Sequence, residues 1–255
     1  MKIHNFNSDV ELDYKENGIQ LFNDHWFPLM KYSEDYGNSI PMSDIKYLSV
    51  GLNPSLTAKA EENIHCKIFG IEDKYDFKNE TKLGILRHDF YKKNQIDIDK
   101  KLIDYQKEMK YGAKQIPYFK LLIDFFNSIE EKDTFKQHVF HYDFCQLRHT
   151  DSKRIQKIIV KKENYLMLVQ HFKQIVEITK PEFVFVFNAF LAGLLKDNDF
   201  FSSNNLDENY GCYFMNNSDY ISPKFILANQ LSGGATSNIY KDLLIWNTKR
   251  ILKKS

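Results

Sequence analysis

Three loops of the sequence carry residue types that can position water or bind an anion. The first is Gly51-Leu52-Asn53-Pro54-Ser55, which combines a glycine, an amide side chain and a proline. The second runs over 143–148 and ends in an arginine, and the third is the small-residue segment 232–237. An amide can both donate and accept hydrogen bonds, an arginine pairs with phosphate, and free backbone N–H groups hold anions. Together the loops favour a pocket whose polar groups do chemistry.

Each loop also has an ordinary structural interpretation. Asn53 is a good helix N-cap and Pro54 suits the first helical turn, so the first loop is also typical of a strand-to-helix corner. Arg148 is equally typical of a solvated surface cation. The segment 232–237 suits a flexible turn and lacks the Gly-Lys-Ser/Thr ending of a nucleotide P-loop, so triphosphate hydrolysis is not supported.

The elements that must position these loops are short apolar runs and amphipathic segments. The runs at 46–52, 138–144, 183–187 and 224–229 predict strands, and three- and four-residue apolar spacing predicts helices over 117–129, 165–176 and 238–252. The middle helix should stop near Lys180 because Pro181 disfavours helix at the preceding residue. The last helix should be capped by Ser237 or Asn238.

Strands that alternate with helices predict an α/β fold, a three-layer α/β/α sandwich with a mostly parallel central sheet. We expect a single domain over residues 1–255, with a charged helical insertion at about 72–114. In an open α/β sheet, ligands bind beyond the carboxyl ends of the strands. Each of the three loops follows a predicted strand, so the loops should share one edge of the sheet, where Tyr142, Asp143 and Arg148 could meet a ligand.

Composition limits the classes of function. The formal net charge is +1, so any nucleic-acid contact must come from local basic patches. Because 43% of the 255 residues are hydrophobic, the chain is able to bury a core. The three cysteines lie far apart, so their spacing predicts neither a disulfide framework nor a metal site. The sequence shows neither an apolar leader nor a stretch long enough to span a bilayer, and we expect a soluble cytoplasmic protein.

In order along the chain, these segments resemble the uracil-DNA glycosylase superfamily. GLNPS (51–55) resembles the Gly-x-Asn-Pro first motif of the mismatch-specific and thymine-DNA glycosylases. DFCQLR (143–148) lies where the family ends its second core strand with an Asn-led turn and a later arginine. KPEFVFVFNAFLAGLL (180–195) is similar to the family's Lys-Pro, strand and helix segment. ANQLSGGATSN (228–238) falls where the family has its His-Pro-Ser or Pro-Ser-Ser loop.

The resemblance implies roles for particular residues. Asn53 would position a water molecule, and Ser232 would help to stabilise charge on the leaving base. Phe69 resembles the aromatic on which the family stacks its base, although most phenylalanines pack in a core. The residues implied in base or DNA binding are Gly51, Leu52, Pro54, Ser55, Phe69, Tyr142, Asp143, Arg148, Gly233, Gly234 and Ser237. The chain departs from the family at Gln230-Leu231-Ser232, where the histidine is absent, and at Asp143, which replaces an asparagine.

These implications predict a DNA-repair glycosylase for a flipped altered base, acting as a monomer without a metal or other cofactor. DNA would be held partly by two basic groups, Lys153, Arg154, Lys157, Lys161 and Lys162, and Lys249, Arg250, Lys253 and Lys254, although such runs are often solvated helix faces. Two alternatives remain open. One is a non-catalytic protein of the same fold that binds a nucleobase, nucleotide or DNA, and the other is a small-molecule enzyme whose glycine-rich loop holds a phosphate ester.

Overall fold

The computed structural model describes residues 12, 13, 16, 42–52, 117–145, 152–201, 206–209, 211–216, 223–229, 231 and 237–253. The chain divides into two compact units. The sheet unit comprises Tyr36–Leu52, Gln115–Tyr142 and Ile175–Ser255, and the helical unit comprises Met1–Asp35, Asn53–Lys114 and Asp143–Gln174. The predicted insertion at 72–114 lies outside the described residues, and the expectation of a single domain stays a prediction.

The described residues form six strands and six α-helices with described bounds, together with a short 3-10 turn at Met42–Asp44, and Leu12, Asp13 and Glu16 are also helical. The strands are β1 (Tyr47–Gly51), β2 (Val139–Asp143), β3 (Phe183–Phe187), β4 (Leu206–Asp207), β5 (Cys212–Tyr213) and β6 (Lys224–Ala228). The helices are α1 (Pro117–Ile129), α2 (Thr134–His138), α3 (Ser152–Ile159), α4 (Lys162–Thr179), α5 (Ala189–Asp197) and α6 (Asn238–Leu252). The strands and helices predicted from the apolar runs are confirmed within one or two residues at most boundaries, and α4 begins earlier than its predicted range.

The six strands make one sheet in the order β2-β1-β3-β6-β5-β4. Strands β1, β3 and β6 are parallel, whereas β5 is antiparallel to β6 and β4 is antiparallel to β5. The Lys46 N–H donates to the His138 carbonyl at 3.0 Å, and Ser49 contacts His141 three residues further along both segments, as in a parallel pair. The expectation of an α/β fold with a mostly parallel sheet is therefore confirmed.

Aromatic rings form the core on one face of the sheet. The register places Tyr47 beside Phe183 on neighbouring strands. Helix α1 covers this face, with ring centroids 5.3 Å apart for Phe126 and Phe185 and 5.3 Å apart for Phe125 and Phe187. Both pairs meet edge to face, which is the favoured geometry for aromatic rings. The high phenylalanine content is thus partly explained by this packing.

The opposite face of the sheet is also covered. Val184 is in register with Phe225. The Phe225 ring lies 5.6 Å from Phe200 and 5.1 Å from Phe201, which follow α5. All five residues of β3 are buried. Because both faces are covered, the central strands are continuous apolar runs rather than alternating ones.

The end of α4 follows from the local sequence. The helix ends at Thr179, and Lys180 adopts the left-handed conformation with φ 43°. Its N–H donates to the Val176 carbonyl at 2.8 Å, which satisfies one of the last carbonyls of the helix. Pro181 comes next, so the predicted stop near Lys180 is confirmed.

The described part of the helical unit contains α3 and most of α4. Helix α3 buries Ile155 and Ile159 and leaves its basic residues exposed. The Asn164 amide donates to the Ile158 carbonyl at 2.9 Å and so ties the start of α4 to the end of α3. These contacts fix the turn that joins the two helices.

Candidate functional site

The carboxyl ends of the parallel strands define one edge of the sheet. Phe187 and Ala228, the last residues of β3 and β6, are in register. Asn188 and Asn229 follow them, and Leu52 follows the end of the neighbouring β1. Backbone groups just beyond such strand ends are where ligands bind in open α/β sheets. We call this the carboxyl edge.

The first loop begins at the carboxyl edge, where Gly51 ends β1. Gly51 and Leu52 are both buried, so this part of the backbone is fixed by packing before the loop continues. Asn53, Pro54, Ser55 and Phe69 lie outside the described residues. The roles predicted for these four, including water positioning by Asn53, stay predictions.

The second loop begins at the end of β2. Tyr142 is completely buried, and Asp143, the last residue of the strand, is half-buried. Asp143 is therefore the residue of this strand end whose side chain is accessible to a ligand, and an ionised carboxylate there accepts hydrogen bonds only. Arg148 lies outside the described residues. Contact of Tyr142 or Arg148 with a ligand stays a prediction.

A buried polar pair between β1 and β2 was not predicted from the sequence. The Ser49 Oγ lies 3.1 Å from His141 Nδ1, and both side chains are buried. The ring of Phe119 from α1 meets the His141 ring edge to face, with centroids 5.2 Å apart. A polar residue in the middle of an apolar strand needs a hydrogen-bond partner. The positions of Ser49 and His141 within apolar strands were therefore the sequence signal for this pair.

The end of β3 carries a helix cap. The Asn188 Oδ1 accepts a hydrogen bond from the Leu191 N–H at 2.9 Å, and the Asn188 backbone is extended with φ −156° and ψ 118°. This is N-cap geometry, and it sets the direction of α5 as the chain leaves the carboxyl edge. The sequence signal for this cap is an asparagine directly before an apolar helical run.

The fourth strand end is linked to α6 by two hydrogen bonds. The Asn229 N–H donates to the Tyr240 Oη at 2.9 Å, and the Ser237 Oγ accepts from the Tyr240 N–H at 3.2 Å. Ser237 is thus the N-cap of α6, as predicted, and α6 begins beside the end of β6. Leu231 is buried. Ser232, Gly233 and Gly234 lie outside the described residues, so their contact with a ligand stays a prediction.

The shifted pKa values lie away from the carboxyl edge. Burial, together with a hydrogen bond to Glu130 and the charges of Glu130 and Glu182, raises the pKa of Tyr47 at the start of β1. Burial, with the charge of Asp207, raises the pKa of the Cys212 thiol from 9.0 to about 11. Cys145 and Cys212 are both buried. These residues belong to the core and the antiparallel edge of the sheet.

The described basic residues of the two predicted groups are all exposed. On and after α3 they are Lys153, Arg154, Lys157, Lys161 and Lys162, and on α6 they are Lys249, Arg250 and Lys253. Lys254 lies outside the described residues. Exposure is required for contact with a phosphate backbone and equally fits a solvated helix face.

Two further observations concern metals and membranes. Over the residues that the structure describes, His, Cys, Asp and Glu form no group of three or more that could hold a metal ion. Across the same ranges, none of the helices has the length and apolar character needed to cross a bilayer.

The comparisons with known proteins place the chain in no family. No model of a protein family matches it, and no curated protein matches its sequence.

Proposed function

We propose that the protein is a DNA glycosylase-like hydrolase that cleaves the N-glycosidic bond of a flipped base, uracil or a related deaminated base, in DNA repair. The observation that carries the proposal is the position of the described residues at which the three motif loops begin. Gly51, Asp143 and Asn229, at or next to the starts of those loops, all lie at the ends of β1, β2 and β6. We also propose that the fold is a three-layer α/β/α sandwich of the uracil-DNA glycosylase type.

The chemical step needs a water molecule held against the sugar C1′ as the bond to the base loosens. Asn53 supplies the amide that orients this water. An amide is not a general base, so the enzyme positions water without deprotonating it. We therefore expect slow turnover.

The leaving base needs a pocket and compensation for its growing negative charge. Backbone N–H groups near Leu52 and in the Ser232–Gly234 loop stabilise that charge, since donors fixed before the reaction are worth most in a site that excludes water. Phe69 stacks on the base, and Asp143 accepts hydrogen bonds from its edge. Extrusion of the nucleotide from the stack costs a few kcal/mol, so a damaged or mismatched base is favoured.

The proposed substrate is held by its backbone as well as by its base. The exposed lysines and arginines of α3 or of α6 neutralise phosphates of the DNA backbone. The rest of the proposal is a cytoplasmic monomer that takes no cofactor.

A second candidate function is a non-catalytic nucleobase, nucleotide or DNA-binding protein of the same fold. The specific observation in its favour is the last motif, in which Gln230-Leu231-Ser232 replaces the family's histidine-led loop and Leu231 is buried. A loop that anchors itself in the core with an apolar side chain can still close over a base. It lacks the imidazole that stabilises the leaving group in relatives of that type.

Binding and excision separate the two candidates. Oligonucleotides carrying uracil, hypoxanthine, xanthine or thymine opposite guanine, single- and double-stranded, would be titrated with the protein and then incubated with excess protein. The proposal predicts tighter binding to one altered base than to the unmodified duplex, followed by release of the free base. Binding without release would favour the non-catalytic candidate. Absence of both binding and release would contradict both candidates and favour the small-molecule enzyme.

A further inference from the structure

Helix α6 presents three apolar side chains to solvent, and we call them the α6 stripe. Ile239 is 72% exposed, Leu243 is 59% exposed and Trp246 is 60% exposed. They are four and three positions apart, a spacing that places them within about a 60° arc on one face of a helix. The opposite face, which includes Leu244 and Ile251, is buried. The α6 stripe is therefore not needed to hold the helix on the fold.

Arg250 ends the α6 stripe on its C-terminal side. Its guanidinium lies 5.4 Å from the centre of the Trp246 ring and donates to the Asn209 carbonyl at 2.9 Å. The hydrogen bond ties Arg250 to the turn between β4 and β5 and keeps it over the indole. Because this guanidinium is already engaged within the chain, what the stripe offers a partner is mainly apolar surface.

One border of the stripe carries charges of both signs, in order along the helix. Asp242 lies in the N-terminal half of this border, and Lys249 and Lys253 lie in its C-terminal half. All three are exposed, and they fall within about a 40° arc. Pairs on one helix form between residues three or four positions apart, whereas Asp242 and Lys249 are seven apart. Among the described residues, neither of these two side chains has an ion-pair partner.

The spacing of the α6 stripe favours a helix as the partner. Apolar residues separated by alternating four and three positions form the narrow seam of helix pairs, in which each side chain inserts between side chains of the facing helix. A membrane-surface helix presents a wider apolar face than this seam. An exposed apolar row opposite a buried face is therefore best matched here by a second helix.

A second copy of α6, packed antiparallel about a two-fold axis, matches the apolar residues. Leu243 lies opposite Trp246 of the second copy when the axis passes close to the middle of the helix. Ile239 then lies opposite the aliphatic stem of Arg250, because both pairs are centred on the same point of α6. Every contact is made twice, as in any two-fold interface. The stripe is thus complementary to itself.

The same arrangement also matches the charges. An antiparallel two-fold axis places the charged border beside the same border of the second copy, with its direction reversed. Asp242 then lies about 3 Å along the axis from Lys249 of the second copy, within reach of the lysine side chain. Two equivalent ion pairs form, and such complementary charges fix the orientation of a helix pair.

Parallel pairing of two copies lacks this match. It would place the charged border beside the opposite border of the stripe, where Tyr240 and Asn247 lie, so Asp242 would face no cation of the second copy. An unrelated helix would need its own charges in the complementary order. A second copy carries that order already, and charge complementarity therefore selects the antiparallel pair.

We propose that the α6 stripe is the contact surface of a two-fold dimer in which α6 packs antiparallel against α6 of a second copy, with Asp242 and Lys249 paired across the interface. A seam of about three turns is smaller than the interfaces of permanent dimers, which bury about 2,000 Å² or more, so the association is reversible. A dilute solution then contains the monomer, and one chain remains the catalytic unit. The inference is independent of the proposed enzymatic function.

The first test is sedimentation velocity of the full chain without DNA, from about 1 to 300 μM, a range that covers weak complexes. We expect the sedimentation coefficient of wild type to rise from the monomer value toward the dimer value. Leu243→Gln should move the midpoint to at least about tenfold higher concentration. Leu166→Gln removes a leucine of matched 56% exposure from α4 and should leave the midpoint unchanged.

A charge swap tests the antiparallel orientation. Asp242→Lys alone, or Lys249→Asp alone, should weaken the dimer by about tenfold, because each turns two attractive contacts into repulsive ones. The double variant Asp242→Lys with Lys249→Asp should return the midpoint to within about threefold of wild type, since each ion pair is restored with its sign reversed. The double variant also keeps the net charge of the chain.

Each of the following results overturns the proposal. A wild type that stays monomeric over the whole range, or a dimer that Leu243→Gln leaves intact, would show that the stripe does not pair. Single charge variants without effect, or a double variant that is not restored, would contradict the antiparallel orientation. Binding to anionic vesicles or duplex DNA that requires Leu243, by a chain that remains monomeric, would assign the stripe to those partners. Thermal melts establish that the substituted chains are folded.

Discussion

The hydrogen-bonded pair of Ser49 and His141 joins the two strands that lead into the first and second loops. Its two side chains are buried between β1 and β2 beneath the Phe119 ring. A buried polar group is tolerated only when it is hydrogen-bonded, and the bond then favours one register of the two strands. The pair therefore helps to fix the positions of Gly51 and Asp143, the last residues of β1 and β2, at the carboxyl edge.

Ser49→Ala removes this hydrogen bond and should lower the free energy of unfolding by about 1–2 kcal/mol, because it leaves a buried ring nitrogen without this partner. Ser43→Ala is the control. The Ser43 hydroxyl donates to the neighbouring Asp44 carboxylate at an exposed position, so its removal should change stability by less than about 0.5 kcal/mol. Chemical denaturation measures both, and equal effects would show that the buried pair contributes nothing specific.

Cys212 should make stability depend on pH in the alkaline range. Its pKa is raised from 9.0 to about 11 by burial, helped by Asp207, so the native state keeps the thiol proton while the unfolded chain loses it. The contribution is fully present below pH 9 and is lost as pH rises toward 11, a change of order 2 kcal/mol. Cys212→Ala should reduce the slope of stability against pH between pH 9 and 10, because the titration of tyrosines, which starts in the same range, is common to wild type and variant. An unchanged slope in the variant would contradict this assignment.

Central elements could be predicted from the sequence because each carries its own local pattern. FVFVF (183–187) is a buried strand whatever surrounds it, and Pro181 marks the boundary before it. The β4–β5 hairpin could not be predicted, since strands of two residues show no periodicity and β5 depends on pairing with β6. Helix α2 was missed because its five residues are too few to show a helical period.

The candidate site was predictable in part. Parallel strand topology implies a shared carboxyl edge, so the positions of Gly51 and Asp143 followed from their strands. Ser237, a predicted DNA-binding residue that also caps α6, shows which part of the site could not be predicted from the sequence. Capping depends on neighbouring residues and can be predicted from the sequence, whereas a ligand contact depends on segments far away in the sequence. Ser49 and His141 were missed because their pairing joins residues 92 positions apart.

Ser237 can be tested for both roles. Ser237→Ala should lower the free energy of unfolding by about 1 kcal/mol, because the Tyr240 N–H loses its cap, whereas Ser237→Asp retains a good capping oxygen and should leave stability nearly unchanged. If the loop also contacts DNA, the added negative charge of Ser237→Asp should weaken duplex binding while the fold is preserved. Thermal melts and binding titrations separate the two, and unaffected DNA binding would restrict Ser237 to its structural role.

The whole molecule has almost no net charge, so DNA affinity must come from local surfaces. Under the proposed function, Lys153→Gln with Lys157→Gln should weaken duplex binding and reduce the slope of log K against log salt by about 1 for each phosphate that is no longer neutralised. Lys132→Gln with Lys136→Gln removes the same charge from exposed positions in and before α2. These control substitutions should leave the slope unchanged. Identical weakening by both pairs would contradict a specific basic face on α3.

Under the proposed function, the carboxyl edge of this sheet cleaves an N-glycosidic bond with the help of Asn53. The most direct measurement is single-turnover release of the free base from DNA carrying uracil, hypoxanthine, xanthine or thymine opposite guanine, by wild type, Asn53→Ala and Asn198→Ala. Asn198 is an exposed asparagine at the C-terminal end of α5, so it controls for the removal of an amide elsewhere. We expect release by wild type and Asn198→Ala and a decrease of at least about 100-fold in Asn53→Ala, the size of effect seen when one polar transition-state group is removed. Release that is unaffected by Asn53→Ala, or no release from any altered base, would contradict the proposed function.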